Sequence, residues 1–330
     1  MQIYGDYIWD GTFGLYEYGI IFFICTSIGW VWESIYESIL AKRLLNRGFL
    51  YGPCIPIYGC SACIMIMVGR PLGTHWILVA LLGILIATAF EEVTGRLMEK
   101  VFGVRYWSYE GYIGNVDGFI CIPVSFFWGF CAIVANKYLI IPFEWIFCHL
   151  NPTVVRKILF ILVAILTVDV TLSVKNALDF REMVERLSNS QSVLSSLAKR
   201  LDLLLERYDS DNHYRRRLSV GKIEDWFVLP RMLRNVRERM DLMYELMRER
   251  RRSQEDRDEF TEQDEFELQS IRDSYMQEEQ VQKSYGKRFA GHLKHLMFTS
   301  PRAKIIKLGK TLRGISLSEI LKISDWKKKE

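Results

Sequence analysis

The 330-residue sequence has no Gly-x-x-x-x-Gly-Lys-Ser/Thr phosphate loop, no His-Glu-x-x-His helix and no Ser-His-Asp arrangement. Nothing in the chain can hydrolyse nucleotide through such a loop, so any ATP-driven process needs a separate ATPase subunit. Histidine is scarce and scattered (His75, His149, His213, His292, His295). Of seven cysteines, only Cys60-Ser-Ala-Cys63 has the spacing of a redox or metal pair, and it sits in an apolar run with no histidine near it. A packing role is expected for it, with no disulfide, zinc or other cofactor. A strong charge of one sign is also missing. The formal net charge is only +4, and no aromatic platform accompanies the basic residues, which argues against a nucleic-acid partner.

What is present is apolar sequence, unevenly placed. Whole-chain averages, such as 50% hydrophobic residues and a mean hydropathy of +0.06, conceal a division near residue 178. Before it stand about 11 Lys/Arg and 12 Asp/Glu among long apolar runs; after it stand about 32 and 27. A hydrocarbon core about 30 Å thick needs roughly 17–25 apolar residues per helix. Five candidates follow: Tyr16–Ala41, Cys54–Gly69, Trp76–Met98, Gly118–Pro142 and Val155–Leu178. The first is read as a retained helix, because Asp6, Asp10 and Glu17 precede or open it where a cleaved leader carries basic residues. The second opens with Gly52, Pro53 and Pro56, which predict irregular or re-entrant first turns. The expected fold is all-α: a polytopic membrane bundle of about five transmembrane helices over residues 1–178, with a coiled-coil-like helical tail.

Lys and Arg are absent before the first span. Three follow it (Lys42, Arg43, Arg47), one follows the second (Arg70), and three sit at the end of the third (Arg96, Lys100, Arg105). The positive-inside rule then puts the N-terminus outside and the tail in the cytoplasm of a cell whose inner membrane holds the bundle. Arg156 and Lys157, at the outer start of the fifth span, run against that bias.

Within the tail, Leu187, Ser190, Leu194, Leu197, Leu201, Leu204 and Tyr208 alternate by three and four residues, as do Trp226, Leu229, Leu233, Val236, Met240, Met243 and Met247. Residues 179–253 are therefore expected to form a helical hairpin turned within Asp209–Gly221, whose two rows satisfy each other without a second chain, or a parallel homodimer, in which 181–253 would be the surface for a homo-oligomer or protein partner. Residues 254–330 hold an acidic block, Glu255–Glu279, and then a basic block, Lys287–Lys329. The basic block has apolar residues at helical spacing, so it suits either the acidic block or the anionic lipids of the inner leaflet.

Ionisable side chains at bilayer depth are costly unless paired or hydrated, so each is a candidate functional group. At 1.5 Å per residue, Glu33, Glu92 and Asp169 lie about 12, 9 and 14 Å from the inner ends of their spans. Tyr58 and Ser125 reach a similar depth from the inner starts of theirs. On the third span Thr88, Glu92, Gly95 and Glu99 form one stripe, with Glu91 turned about 100° away. Two inner loops add Asn46 and Arg47, then Arg105, Trp107 and Asn115, as groups able to grip a ligand. The candidate binding residues are thus Glu33, Asn46, Arg47, Tyr58, Glu92, Arg105, Trp107, Asn115, Ser125 and Asp169. Such a carboxylate-rich cavity suits a cation, a proton relay or an amine.

Several segments carry a resemblance: Gly29-Trp30-Val31-Trp32-Glu33, Asn46–Gly59, Glu92 with Leu97–Phe102, Arg105–Tyr109, Asn115–Cys121 and Ser125–Gly129. Together they resemble the bacterial putative ABC-transporter type IV family over roughly residues 15–140. Where that family usually has Trp-Asp-Tyr this chain has Trp107-Ser108-Tyr109, and a usual basic position is Phe119. The resemblance implies a multi-helix membrane fold and a transport role, hence a permease-like protein of unspecified substrate. Two other classes fit the residues alone. One is a membrane scaffold or sensor acting through its tail. The other is an enzyme on a lipid-type substrate, with Glu33 or Glu92 as base and Arg47 or Arg105 on a phosphate.

Overall fold

The computed structural model describes residues 3–4, 7–8, 13–208, 229–253, 261–300 and 304–305. The chain divides into two units, one of residues 1–178 with 295–304, the other of residues 179–294 with 305–330. Among the described residues the regular structure is helical, apart from two-residue strands.

The first unit begins with a small hairpin of β1 (Ile3–Tyr4) and β2 (Tyr7–Ile8). Helix α1 (Leu15–Ala41) follows, opened by the Glu17 carboxylate accepting the Gly14 N–H at 2.9 Å and closed at Lys42 in the left-handed region. Helix α2 (Pro56–Gly69) starts with proline in its first turn. Helix α3 (Trp76–Phe102) ends on Gly103 with φ +70°, and β3 (Val104–Arg105) lies just beyond it. Helix α4 (Ile122–Val134) runs through a π-helical turn, Ala135–Leu139, into α5 (Ile140–His149). Pro142 explains that turn: it cannot donate to the carbonyl four residues back, so the ladder is shifted there. Asn136 uses the opening, donating to the Met65 and Ala132 carbonyls at 3.0 Å each. Helix α6 (Pro152–Tyr208) belongs to this unit as far as Leu178.

Among the described residues, four helical segments are long and apolar enough to cross a membrane: Leu15–Ala41, Trp76–Phe102, Ile122–His149 and Pro152–Arg207. Their outward faces carry exposed Ile77, Leu85, Val93, Phe160, Ile161 and Ile165, as lipid contact requires. The expected span Cys54–Gly69 differs. Its helix has 14 residues, about 21 Å, and falls short of the hydrocarbon core. The fourth expected span is longer than its apolar run suggested, because the helical rod continues past Pro142 to His149.

The chain before α2 accounts for the missing length. Residues 42–55 turn back and climb α1 without forming a helix. Leu45 N–H donates to Ser38 Oγ at 2.9 Å, Arg47 N–H to Ser34 Oγ at 3.1 Å, and Thr26 Oγ1 to the Ile55 carbonyl at 2.7 Å. Each step up this segment is met by a hydroxyl one or more turns higher on α1, so backbone polar groups that no helix pairs are satisfied by side chains. Helix α2 then continues along α1, with Gly59 against Phe22 and Cys63 Sγ donating to the Tyr18 carbonyl at 3.4 Å. At Gly29 a Cβ would collide with the Tyr58 ring, so α1 needs glycine there for α2 to lie this close.

In the second unit, α6 from Asp179 onward, α7 (Leu229–Ser253) and α8 (Glu262–Thr299) share one apolar core. It contains Leu194, Leu197, Leu201 and Leu204 of α6, Leu233, Val236, Met240 and Met243 of α7, and Leu268, Ile271 and Tyr275 of α8. Both alternating apolar rows thus meet in one chain, and the acidic segment supplies a third helix to them. Arg200–Glu267 (3.1 Å), Arg207–Asp264 (2.7 Å) and Arg239–Asp202 (2.7 Å) bridge the helices. The expected turn Asp209–Gly221, the Trp226 position and the apolar positions Leu308, Leu312, Ile315 and Ile320 of the basic block lie outside the described residues.

Candidate functional site

The inserted segment, the first turn of α2, the C-terminal half of α3 and the loop after β3 border a cavity of about 580 Å³. That is within the usual range of about 300–1,000 Å³ for small-molecule sites. Its wall is mainly aromatic, with Trp32, Tyr36, Tyr58, Tyr106, Trp107, Tyr109, Tyr112, Phe127 and Trp128, and among the described residues its charged members are Glu33, Glu37, Arg47 and Glu91. Helix α3 can approach α2 and α4 here because its buried side is a row at four-residue steps, Val79, Gly83, Ala87, Glu91 and Gly95. Small residues at that spacing let helix backbones come close, and a Cβ on Gly83 would strike that of Ala132.

Glu33 lies between two donors. Its Oε1 accepts the Tyr58 hydroxyl at 2.7 Å and its Oε2 accepts Arg47 Nε at 3.1 Å. Arg47 is only 8% exposed, and both its terminal nitrogens reach the Tyr106 carbonyl at 3.5 Å. The guanidinium therefore ties α1, the inserted segment and the loop after β3 together at one point. Opposite, Glu91 is 6% exposed. Its Oε1 accepts the Tyr109 hydroxyl at 3.0 Å, and the Trp128 indole N–H is a second donor to the carboxylate. Trp128 and Ser300 belong to the cavity wall as well. Burial first, and then the Glu91 carboxylate, pushes the Tyr109 phenol well up from its usual range; burial alone does so for Tyr106. Both phenols therefore remain O–H donors at any working pH.

Residues 295–300 return to this region within the first unit. Gly48 N–H donates to the Thr299 carbonyl at 3.3 Å, the His295 ring stacks on Tyr51 with centroids 4.6 Å apart, and Lys304 opens β4 (Lys304–Ile305), the partner of β3. Ser300 is 1% exposed and forms part of the cavity wall.

Of the residues expected from sequence, Glu33, Arg47, Tyr58 and Trp107 line the cavity. The others sit elsewhere in unit 1, each with a partner. Asn46 accepts Trp30 Nε1 at 2.7 Å and donates to the Tyr51 carbonyl at 3.0 Å. Asp169 accepts the backbone N–H groups of Tyr51 and Gly52. Ser125 Oγ accepts Thr88 Oγ1 at 2.8 Å, and Asn115 Oδ1 accepts Gly118 N–H at 2.7 Å to form a turn. Glu92 pairs with Arg96, which also meets Asp117 at 2.7 Å. Arg105 pairs with Glu99 at 2.7 Å and lies over the Phe119 ring, 4.4 Å from its centroid. Glu91, Tyr109 and Trp128 were not expected in the site. The signal that marks Glu91 was present in the four-residue row of small residues on α3.

The arrangement defines a membrane-embedded helical protein with an aromatic and acidic cavity beside a short helix. Residues 20–174 match the family model described as Putative ABC-transporter type IV, the family that the sequence motifs resemble. The chain matches no curated protein and no solved structure.

Proposed function

We propose that the protein is a transport-type inner-membrane protein, permease-like, whose substrate site is the cavity between Glu33, Arg47 and Glu91. One observation carries this reading: the unwound segment 42–55 and the short helix α2 stand where a straight helix would fill the bundle, and the space left over is lined by aromatic rings together with Glu33, Glu91 and Arg47. Interrupted helices around a polar cavity at membrane depth are the usual build of a transporter site, since irregular backbone is tolerated there only where protein or cavity shields it from lipid. The match to an ABC-transporter type family supports the same reading and implies a separate ATPase subunit.

The loop charges favour the cytoplasmic side for the end of α1 that carries Lys42, Arg43 and Arg47, with the N-terminus outside and the tail inside. The cavity then lies in the cytoplasmic half. Native mass spectra of the full chain, extracted in mild detergent from the cells that make it, test the proposal. An ATPase subunit in fixed ratio is the expected result. A chain that arrives alone or only with copies of itself would remove the ABC role and put a scaffold acting through residues 179–294 in its place.

A further inference from the structure

We infer that the cavity takes the hydrocarbon chain of a bilayer lipid, and that the chain enters sideways, between α1 and α4. The inference deepens the transport reading and rests on it for the cavity being a substrate site.

The first argument is where the wall is open. Its members Arg47, Leu50, Glu91, Tyr106 and Trp128 are buried, whereas Trp32 of α1 and Phe127 of α4 are 56% and 40% exposed. Tyr36, one turn further along α1, is exposed as well. At 1.5 Å per residue, Trp32 stands about 14 Å from the C-terminal end of α1 and Phe127 about 8 Å from the N-terminal end of α4. Exposure at such depth on helices that cross a membrane is exposure to lipid. The Trp32 and Phe127 rings stack, with centroids 6.4 Å apart and planes at 17°. Helix α1 packs mainly on α2, and α4 mainly on α3. The seam between α1 and α4 is thus bridged by a pair of rings, and a side chain can swing aside where a helix cannot.

The second argument is the charge of the wall, which is spent within the protein. Glu33 accepts Tyr58 and Arg47, and Arg47 also reaches the Tyr106 carbonyl. Glu91 is held by Tyr109 and Trp128, and Glu37 has an interaction of its own. An ionic ligand would find no free counter-charge in a space walled from water. What the wall offers a ligand is ring surface from Trp32, Tyr58, Trp107, Phe127 and Trp128, with Met98 and Val124 between. The third argument follows from the second. Buried water needs about three hydrogen-bond partners to stay, and the polar groups here already serve one another. An apolar space left empty forfeits the dispersion contacts of its lining, and a chain from the adjoining bilayer restores them.

The test places the full chain in nanodiscs with a phosphatidylcholine that carries a diazirine midway along one acyl chain. After illumination, adducts are mapped by peptide mass spectrometry. A short diazirine carboxylate, added from the water, is the second probe. The lipid should mark Tyr58, Met98 and Tyr109, in the wall, besides Val93 and Phe126, which are exposed on the outer faces of α3 and α4. Thr94→Phe, which fills the cavity from α3, should remove most of the wall adducts and leave those at Val93 and Phe126. Trp32→Ala, which takes one ring from the seam, should increase them. Equal melting temperatures show that the variants fold. Adducts confined to the outer faces, or wall adducts that Thr94→Phe leaves unchanged, overturn the inference. Wall adducts from the carboxylate and not from the lipid also overturn it, and leave a cavity filled from water. If neither probe marks the wall, the choice of this cavity as the substrate site falls too. Lipid adducts in the wall of a chain that has no ATPase subunit in the native mass spectra would remove the transport reading and leave the lipid site standing.

Discussion

The carboxylate of Asp169 on α6 holds the backbone of Gly52: Oδ2 accepts the Gly52 N–H at 2.8 Å, and Oδ1 accepts the neighbouring Tyr51 N–H at 2.9 Å. An ionised acceptor at bilayer depth is thereby spent on two amides of the segment that no helix pairs. Asp169 fixes the turn that admits α2, and a Cβ at Gly52 would press on it at 2.8 Å. Asp169→Asn keeps one acceptor but faces the other amide with an NH2 group. Bonds of this kind to a charged group are worth about 1.5–3 kcal/mol each, so a loss of about 2 kcal/mol is expected. Limited proteolysis within residues 42–55 should accelerate, while a variant at Thr167, which bonds only within α6 to Val163, should cut at the wild-type rate.

Arg47 and Glu33 are coupled more tightly than either is to the fold. Arg47→Met leaves the Glu33 carboxylate with only the Tyr58 hydroxyl, and removing one partner of a buried pair costs about 3–5 kcal/mol; since Glu33 keeps 28% of its side chain exposed, the low end, about 3 kcal/mol, is expected. Adding Glu33→Gln to Arg47→Met should recover about half of the loss. Thermal melts of the two single variants and the double variant in one detergent measure the coupling. Strict additivity would mean that the pair contributes nothing beyond its separate contacts.

How much of this was legible in the sequence depends on the range of the interaction. The apolar runs of α1, α3 and α6 announced themselves by composition, because a helix in lipid must satisfy its backbone locally and needs about 20 apolar residues to do so. The glycines and prolines of residues 48–56 likewise foretold that the second run would not be a plain helix. What composition cannot carry is the partner of each polar side chain. Glu92 and Glu91 are neighbours in sequence, and the stripe through Thr88, Glu92 and Gly95 appeared to point inward. In the structure Thr88 turns to Ser125 on α4 and Glu92 to Arg96, while the row Gly83, Ala87 and Glu91 is buried. Asp169 shows the same limit, since its partners lie 117 and 118 residues away.

Gly29 tests whether the fit between α1 and α2 sets the site. An alanine there would overlap the Tyr58 ring, and overpacking of this kind typically costs about 1–3 kcal/mol. Tyr58 can give way only by moving off Glu33, so the 2.7 Å bond between them is expected to lengthen or break. Gly29→Ala should lower the melting temperature. The double variant Gly29→Ala with Tyr58→Ala should recover packing without recovering the bond. If Gly29→Ala melts like the wild type, the close approach is not a constraint.

Tyr109 gives the site a pH dependence whose sign is fixed. Its phenol is raised in the folded chain by burial and by the Glu91 carboxylate it donates to, whereas an unfolded tyrosine loses its proton near pH 10. Above that pH the unfolded state releases a proton that the folded state retains. The stability from the Tyr109–Glu91 bond is therefore fully present below about pH 10 and declines as pH rises beyond it. Tyr106, buried in the same loop, adds a decline of the same sign. Tyr109→Phe removes one of the two contributions, so its melting temperature should fall less steeply than the wild type's between about pH 9.5 and 11. At neutral pH the same variant should be less stable by about 1–3 kcal/mol, because the buried Glu91 Oε1 then loses its donor. Identical slopes for the two proteins in that alkaline range would show that Tyr109 is open to water, and with it the wall that faces Glu91.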